Sequence, residues 1–350
     1  MRIAYAICNI GFGHSTRSLN IINLLRKRGH EIEIIIGEPY NEFFKDKGFK
    51  THRIHSPIKL HESTGSSMLK TIEFINRSAS KYMVSTIRVK KILKRINPDI
   101  LVSDSEISSL LNSRKIKSAL ISHQMNIFSE VVNEESNKIW HKFIRRYVDV
   151  MIVPDILDME VPKKIKDIVV KVGPLFEMVK ERKSKLKKKL RIKGKTSVFI
   201  PSFANTNRKQ IIHKLVDISE DLGWNFILLG QEMDKKIKNV RLIKRRNDLV
   251  PCEYIKASDF SVVSGYTSLM ESVYYQKPIF FIPTQTEQKI IGRLGEKNGI
   301  LKVGSFDNIE ELKSILTDKS AQKEMVRNQK KYRIDGNKQS VEIIESLGKK

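Results

Sequence analysis

The residues with the clearest chemical potential lie in a turn near the N-terminus, Ile10-Gly11-Phe12-Gly13-His14. The turn follows an apolar segment and precedes a helix-forming segment, which predicts that His14 lies at a helix N-terminus beside the carboxyl edge of a parallel sheet. An imidazole has a pKa of about 6.5 and accepts a proton near neutral pH, and a helix N-terminus disfavours its charged form. We therefore predict that His14 is a general base, with Asp104, at the end of another apolar segment, as the alternative.

A second polar turn lies in the other half of the chain, where Ser264-Gly265 follows the apolar segment Phe260 to Val263. The helix predicted after it can hold a diphosphate through its first backbone N–H groups and through the hydroxyls of Tyr266, Thr267 and Ser268. Glu271 lies one turn beyond Thr267 on the same face, where a carboxylate can accept hydrogen bonds from two ribose hydroxyls. This turn therefore predicts a nucleoside-diphosphate site.

Two further polar segments extend the predicted donor site. Glu287 and Gln288 follow the next apolar strand, and their carboxylate and amide suit the hydroxyls of a sugar. Ser202, Asn205 and Arg208 follow the first strand of this half of the chain. We expect them to contact the donor through polar side chains and, for Arg208, through a positive charge that stabilises the leaving group.

These residues must be positioned by strands and helices that alternate along the chain, an order typical of βα units around a parallel sheet. The strands predicted in the first half are Arg2 to Cys8, Glu31 to Ile36, Lys50 to Ile54, Asp99 to Val102, Ser118 to Ile121, Val150 to Val153 and Ile168 to Val172. A second series follows at Ser197 to Pro201, Asn225 to Leu229, Val240 to Ile243, Phe260 to Val263, Ile279 to Ile282 and Leu301 to Val303. The restart predicts two α/β domains.

The predicted boundary lies at Gly173-Pro174-Leu175, where glycine permits backbone rotation and proline restricts it. We predict an N-terminal domain over residues 1–172, a hinge and basic connector over 173–195, a C-terminal domain over 196–330 and a terminal helix over 331–350. In the first domain, helices are predicted from His14 to Arg28, from Met68 to Arg95 and from Asn133 to Tyr147.

The charge balance favours polyanionic partners, because 65 Lys and Arg residues face 39 Asp and Glu residues, a formal net charge of +26. One dense block of basic residues contains Lys180, Arg182, Lys183, Lys185, Lys187, Lys188, Lys189, Arg191, Lys193 and Lys195. This basic block is compatible with a solvated connector and also with a basic helix that contacts an anionic membrane surface through Leu186 and Leu190.

The same sequence predicts a cytoplasmic location. No apolar segment approaches the roughly 20 residues of a transmembrane helix, and the N-terminus lacks the pattern of a secretory signal. The two cysteines, Cys8 and Cys252, fall in different predicted domains, which fits a reducing compartment. His52, His55 and His61 are close in sequence but lack the carboxylate or cysteine pattern of a metal site, so we predict no metal.

Several of these segments, in this order, resemble the nucleotide-sugar glycosyltransferases of the GT-B architecture, particularly the MurG-like family (glycosyltransferase family 28) and its archaeal relatives. The similar segments are Gly11 to Arg17, Gly173-Pro174-Leu175, Ser264 to Glu271 and Pro283 to Gln288. The resemblance implies two Rossmann-like domains facing a central cleft, with the C-terminal helix crossing back to the N-terminal domain. The segment 201–207 departs from the family, because relatives carry a glycine-rich loop there.

The resemblance also implies roles for the two domains. The N-terminal domain receives the acceptor, at positions that include Gly11, Phe12, Gly13, Arg17, His123 and Gln124. The C-terminal domain holds a nucleotide sugar, expected to be linked to UDP, at the donor residues named above. The implied reaction is an inverting displacement without metal or cofactor, and the acceptor is a sugar or a lipid-linked glycan at the inner face of the cell membrane.

Two other functions are considered beside the transferase. A nucleotide-sugar hydrolase or epimerase of similar fold is one, because the first turn also resembles that of a sugar hydrolase, and water would then replace the acceptor. A non-catalytic nucleic-acid-binding protein is the other, on charge alone, but no recognition motif or basic-aromatic pattern accompanies the charge.

Overall fold

The computed structural model describes residues 1–9, 12–38, 40–54, 83–126, 134–201, 208–244, 246, 249–284 and 286–349. The chain divides into two compact units. The first unit contains Met1–Asp155, Met159–Val172 and Asp335–Lys350, and the second contains Ile156–Asp158 and Gly173–Ile334. Each unit has its own sheet and its own buried apolar core, so the predicted fold class of two α/β domains is confirmed.

The first unit is built on a sheet whose described strands all pair in parallel. The strands are β1 Arg2–Ile7, β2 Glu31–Gly37, β3 Lys50–Ile54, β4 Ile100–Asp104, β5 Lys117–Ile121, β6 Val150–Pro154 and β7 Val169–Val172. Their spatial order, β3-β2-β1-β4-β5-β6-β7, changes direction between β1 and β4. Open α/β sheets bind ligands at the carboxyl ends of the strands on either side of such a reversal.

The second unit repeats this plan. Its strands are β8 Thr196–Ile200, β9 Asn225–Gln231, β10 Lys235–Ile237, β11 Val240–Lys244, β12 Phe260–Val263, β13 Ile279–Phe281 and β14 Lys302–Val303. The spatial order is β10-β11-β9-β8-β12-β13-β14, with the reversal between β8 and β12. The edge strand β10 is antiparallel to β11 and is the described strand that sequence reasoning missed.

The helices are α1 Phe12–Lys27, α2 Asn41–Lys45, α3 over the helical residues 83–96, α4 Ile107–Leu110, α5 Glu134–Tyr147, α6 Lys183–Lys189, α7 Arg208–Leu222, α8 Pro251–Ala257, α9 Tyr266–Tyr274, α10 Thr286–Lys297, α11 Glu311–Thr317, α12 Lys319–Gln329 and α13 Gly336–Lys349. The terminal helix α13 belongs to the first unit, where it contacts α1 and the strands β4 to β7. Glu345 anchors this helix, since it accepts a 2.6 Å hydrogen bond from Arg28 and lies 2.8 Å from His30 Nε2. Residues 68–82 of one predicted helix lie outside the described residues.

The basic block forms α6 and the turns around it, and it packs inward through its apolar residues. Leu186 and Leu190 are both buried in an apolar cluster of the second unit. Three lysines of α6 form ion pairs: Lys183 and Lys187 with Asp259, at 2.6 and 3.1 Å, and Lys189 with Glu253, at 2.6 Å. The two leucines therefore cannot provide a lipid-facing stripe, because the core of the second unit covers them. Among the described helices, none has the length and apolar character of a membrane span.

We expect Leu186→Ala to lower the free energy of unfolding by about 2–4 kcal/mol, because it removes buried methyl groups and leaves a cavity. Lys185→Ala, on the exposed face of the same helix, is the matched control and should change this free energy by no more than about 0.5 kcal/mol. Urea unfolding of both variants makes the comparison. Equal effects would contradict the inward packing of α6.

Candidate active site

One group of predicted site residues meets at the reversal of the first sheet, where β4 ends beside the turn that joins β1 to α1. Asp104 ends β4, and its backbone oxygen accepts a 2.9 Å hydrogen bond from the N–H of Cys8, one residue beyond β1. His14 Nδ1 lies 2.8 Å from Asp104 Oδ1. Arg17 and Ser18 donate to Asp104 Oδ2 at 2.8 and 2.7 Å, and Arg17 Nη2 also donates to Oδ1.

Helix α1 brings these side chains together through its periodicity. His14, Arg17 and Ser18 are spaced i, i+3 and i+4, which places them on one face of the helix. Sequence reasoning missed Ser18, and this spacing from His14 is the signal that would have found it. The pairing with Asp104 has no local signal, since it spans 90 residues of the chain and depends on β1 and β4 being neighbours.

The electrostatics of this group keep Asp104 charged and His14 neutral. Burial favours the neutral acid, but Arg17 and then His14 outweigh it and hold the pKa of Asp104 well below its usual range. Burial and then the charge of Arg17 lower the pKa of His14, against the opposing effect of Asp104. His123 lowers the pKa of His14 further, so the two imidazoles lie within electrostatic range.

The side chains of this group differ in their exposure to solvent, and so in whether a substrate can contact them. The side chain of His14 is 20% exposed, whereas that of Arg17 is 2% exposed and that of Asp104 is fully buried. Arg17 and Asp104, predicted as an acceptor contact and as an alternative base, are therefore enclosed by protein groups and by each other. His14 is the member of the group that a substrate can approach.

The other predicted acceptor residues lie near the same edge of the sheet or outside the described residues. Gln124 follows β5, and its backbone oxygen accepts a 3.3 Å hydrogen bond from Trp140 Nε1 on α5. Gly13 is in the first turn of α1, where its oxygen accepts a 3.1 Å bond from Thr16 Oγ1. Gly11 and the side chain of Phe12 lie outside the described residues.

The second group of predicted residues lies at the reversal of the second sheet. Ser264 follows β12, and its N–H donates a 3.2 Å hydrogen bond to the oxygen of Ile200 at the end of β8. Its hydroxyl is buried and has no hydrogen-bond partner among the described residues. Gly265 is the N-cap of α9, so no side chain caps this helix, and Ser268 Oγ donates to the Gly265 oxygen at 3.3 Å. Tyr266 is buried and Thr267 half-buried in the same first turn.

Glu271 lies one turn further along α9 and is 3% exposed. Its carboxyl forms a hydrogen bond with the thiol of Cys252 on α8. Burial raises the pKa of Glu271 to about 8, and the nearby Glu177 adds to this, although the Cys252 bond opposes it. The carboxyl is therefore mainly protonated near neutral pH, and in that form it both donates and accepts hydrogen bonds.

The remaining residues predicted to bind the donor are described only in part. Gln288 Oε1 accepts hydrogen bonds from the N–H and the hydroxyl of Thr284, at 2.8 and 2.9 Å, which ties the start of α10 to the end of β13. Ser202 and Asn205 lie outside the described residues, as do the side chains of Arg208 and Glu287. Within the described ranges, no three His, Cys, Asp or Glu side chains form a group that could hold a metal ion, and His55 and His61 fall outside these ranges.

Comparison with known proteins gives a family match over half of the chain. A family model described as glycosyl transferase family 1 matches residues 1–177. Two relatives, each described as an uncharacterized glycosyltransferase, come from Methanosarcina acetivorans and Methanosarcina mazei. Each is 27% identical to this chain, over 383 and 386 residues, and both alignments cover 100% of each protein.

Similar solved structures extend over both units. Glycosyltransferase SnogD from Streptomyces nogalater has a TM-score of 0.73 and 13% identity, covering 99% of both chains. Glycosyltransferase SsfS6 of Streptomyces sp. SF2575, complexed with thymidine diphosphate, has a TM-score of 0.69 and 14% identity, also covering 99% of both chains. The two α/β units therefore have the GT-B fold of these proteins.

The buried carboxyl of Glu271 makes a prediction about stability. Its pKa is about 8 in the folded protein and near 4.5 otherwise, so ionisation increasingly disfavours folding as the pH rises between these values. Glu271→Gln removes that ionisation. The difference between the melting temperature of this variant and that of the wild type should therefore increase in favour of the variant from about pH 5 to about pH 8. Thermal melts at several pH values measure the difference, with the exposed Glu296→Gln as control. A gain that does not depend on pH would contradict the buried, protonated carboxyl.

Proposed function

The chain belongs to glycosyl transferase family 1, and we propose that this glycosyltransferase moves a sugar from a nucleoside-diphosphate sugar to an acceptor hydroxyl with inversion at the anomeric carbon. The observation that carries the proposal is the pair formed by His14 and Asp104 at the reversal of the first sheet. A partly exposed imidazole with a low pKa, held by a buried carboxylate, is the arrangement of a general base.

In the proposed reaction His14 Nε2 takes the proton of the acceptor hydroxyl. The acceptor oxygen forms a bond to the anomeric carbon as the bond from that carbon to the diphosphate oxygen breaks, and the nucleoside diphosphate leaves with the electron pair. The imidazolium formed on His14 is stabilised by the charge of Asp104, which stays ionised throughout. Asp104 therefore acts through His14 and does not contact the acceptor.

The donor part of the proposal is supported by the start of α9. A helix N-terminus without a capping side chain attracts phosphate oxygens, and the buried hydroxyl of Ser264 beside it can donate to one of them. The protonated carboxyl of Glu271 suits the two ribose hydroxyls, since it can donate to one and accept from the other. We propose UDP as the carrier, in keeping with the MurG-like resemblance of the sequence. Because SsfS6 binds thymidine diphosphate, donors of both kinds are the substrates to test.

The acceptor part of the proposal is supported by the exposed side of α3. Met83, Val84 and Ile87 lie on one face of its first two described turns and are 64%, 54% and 52% exposed. The helix then continues with exposed basic residues, Arg88, Lys90, Lys91 and Lys94, and residues 83–96 contain no acidic residue. An apolar end followed by a basic face is typical of a helix that lies on an anionic membrane.

The described start of α3 packs against α4, the helix that follows β4. Ser85 Oγ is 3.3 Å from Ser108 Oγ on α4, and the oxygen of Thr86 accepts a 3.0 Å hydrogen bond from Asn112. Helix α4 begins three residues after Asp104, so the apolar end of α3 is close to the carboxyl edge of β4. A lipid-linked acceptor anchored in the membrane would thus present its hydroxyl near His14, and we propose such an acceptor.

Family membership favours the transferase over the two other functions considered from the sequence. A hydrolase would release free sugar from the donor at a rate independent of acceptor, and a nucleic-acid-binding protein would bind polyanions with a steep salt dependence and ignore nucleotide sugars. The direct test is a screen of UDP- and TDP-linked sugars for thermal stabilisation, followed by assays of glycosyl transfer with and without lipid-linked acceptors.

Removing the imidazole tests the base. We expect His14→Ala to reduce kcat by about 100-fold or more, because general-base catalysis contributes about that factor, while donor binding changes little. Turnover assays and calorimetry with the nucleotide measure the two quantities. Normal turnover in His14→Ala would refute its role as the base, and His52→Ala, in the same sheet but bonded to Glu33, controls for loss of a buried imidazole.

Replacing the apolar end of α3 tests the membrane surface. The triple variant Met83→Ser, Val84→Ser and Ile87→Ser should sediment with phosphatidylglycerol vesicles at least about tenfold less than the wild type, because three side chains no longer insert between lipids. Neutralising Lys187, Lys188 and Lys189 is the comparison, since it removes charge without changing apolar surface. Wild-type sedimentation of the triple variant would contradict this surface.

A further inference from the structure

Arg17 contacts both Asp104 and His14, whereas an ion pair with a purely structural role requires only the contact with Asp104. Its guanidinium is 2% exposed and binds both oxygens of Asp104, through Nε at 2.8 Å and through Nη2. The same Nη2 lies 3.0 Å from His14 Nδ1. The guanidinium of Arg17 therefore contacts both the Asp104 carboxylate and the His14 imidazole. Its contact with the imidazole is at Nδ1, and the tautomer of the ring depends on whether this nitrogen carries a proton.

The proton on the His14 ring follows from what its neighbours can donate and accept. An ionised carboxylate only accepts hydrogen bonds and a guanidinium only donates them. In a neutral ring Nδ1 either donates one hydrogen bond or accepts one. It lies 2.8 Å from Asp104 Oδ1 and 3.0 Å from Arg17 Nη2, so the carboxylate is the nearer partner. Nδ1 makes its shorter contact with the carboxylate, which can only accept, so we assign the ring proton to Nδ1. The lone pair then belongs to Nε2.

The charges around His14 oppose one another. Asp104 stabilises the imidazolium, and Arg17 and His123 disfavour it. Tyr5 and Cys8 also face this group from β1 and the turn beyond it, and both act on Arg17. Without Arg17, a buried carboxylate alone would face the imidazole, and that arrangement would keep His14 protonated at the pH where it must accept a proton.

We propose that Arg17 is a positioning residue, whose buried guanidinium fixes the Asp104 carboxylate and its charge so that His14 keeps its proton on Nδ1 and presents an unprotonated Nε2 to the acceptor. The proposal rests on the proposed function of His14 as the base. It explains why an arginine in the motif Gly13-His14-Ser15-Thr16-Arg17 points into the protein instead of toward a substrate.

Nitrogen NMR of histidine-labelled protein tests the proposal without any substrate. The wild type should show neutral His14 with Nδ1 protonated, and a titration midpoint below the usual value of about 6.5. In Arg17→Met the midpoint should rise by about one pH unit or more, since one opposing charge has gone. Lys27→Met, in the last turn of the same helix, is the control, because it removes an exposed positive charge outside this group and should leave the midpoint in place.

The pH profile of kcat/KM gives a second readout. The acidic limb of Arg17→Met should move to higher pH, so that its loss of activity relative to the wild type grows as the pH falls and, below both midpoints, is about tenfold larger than near pH 8. A purely structural role would lower activity by the same factor at every pH. Arg17→Lys keeps the charge but not the two-pronged bond, so its midpoint should match the wild type while kcat falls at least about tenfold.

Three results would overturn the proposal: a wild-type His14 protonated on Nε2, an unchanged midpoint in Arg17→Met, or wild-type kcat in Arg17→Lys. If Arg17→Met does not fold, the tautomer of the wild type and the Arg17→Lys result still decide the matter. Failure of the proposed function is distinguishable, because an active His14→Ala would refute the base itself. If activity is lost in His14→Ala but remains at the wild-type level in the Arg17 variants, only the positioning role of Arg17 is refuted.

Discussion

The buried contact of Arg17 with Asp104 is the interaction on which the proposed chemistry depends. A lone carboxylate in this position would be costly to bury and would hold a proton on the imidazole beside it. The arginine makes the buried pair neutral, so the carboxylate stays ionised and the imidazole stays available. This contact exists only because β1 and β4, which are far apart in sequence, are neighbours at the reversal of the sheet.

The sheet of the second unit also changes direction between two neighbouring parallel strands, β8 and β12. Its reversal brings the end of β8 beside the start of α9, where backbone N–H groups and the buried Ser264 hydroxyl offer donors without a full positive charge. Glu271 is kept neutral by burial, which suits it to bind hydroxyls and not cations. In the proposed reaction one unit supplies the base and the other supplies donors suited to a diphosphate and a ribose, each at the point where its own sheet changes direction.

Much of this architecture could be predicted from the sequence, because alternating apolar segments and turns are local signals. Each predicted strand has a counterpart in the structure, and the missed strand β10 has only three residues and one apolar side chain. Contacts between segments that are far apart in the sequence could not be predicted, because they depend on how the strands and helices pack. Leu186 and Leu190 have the spacing of a membrane-facing stripe, and only the packing of α6 shows that they belong to a core. Arg17 looks like a substrate contact until its partner Asp104, 87 residues away, is known.

The role of His14 as the base can be tested by a crystal structure of the protein with a nucleoside diphosphate and an unreactive acceptor analogue. We expect an acceptor hydroxyl within about 3 Å of His14 Nε2, with Nδ1 still bonded to Asp104 and the diphosphate at the start of α9. An acceptor hydroxyl held by another side chain, with His14 Nε2 bonded to protein, would contradict it.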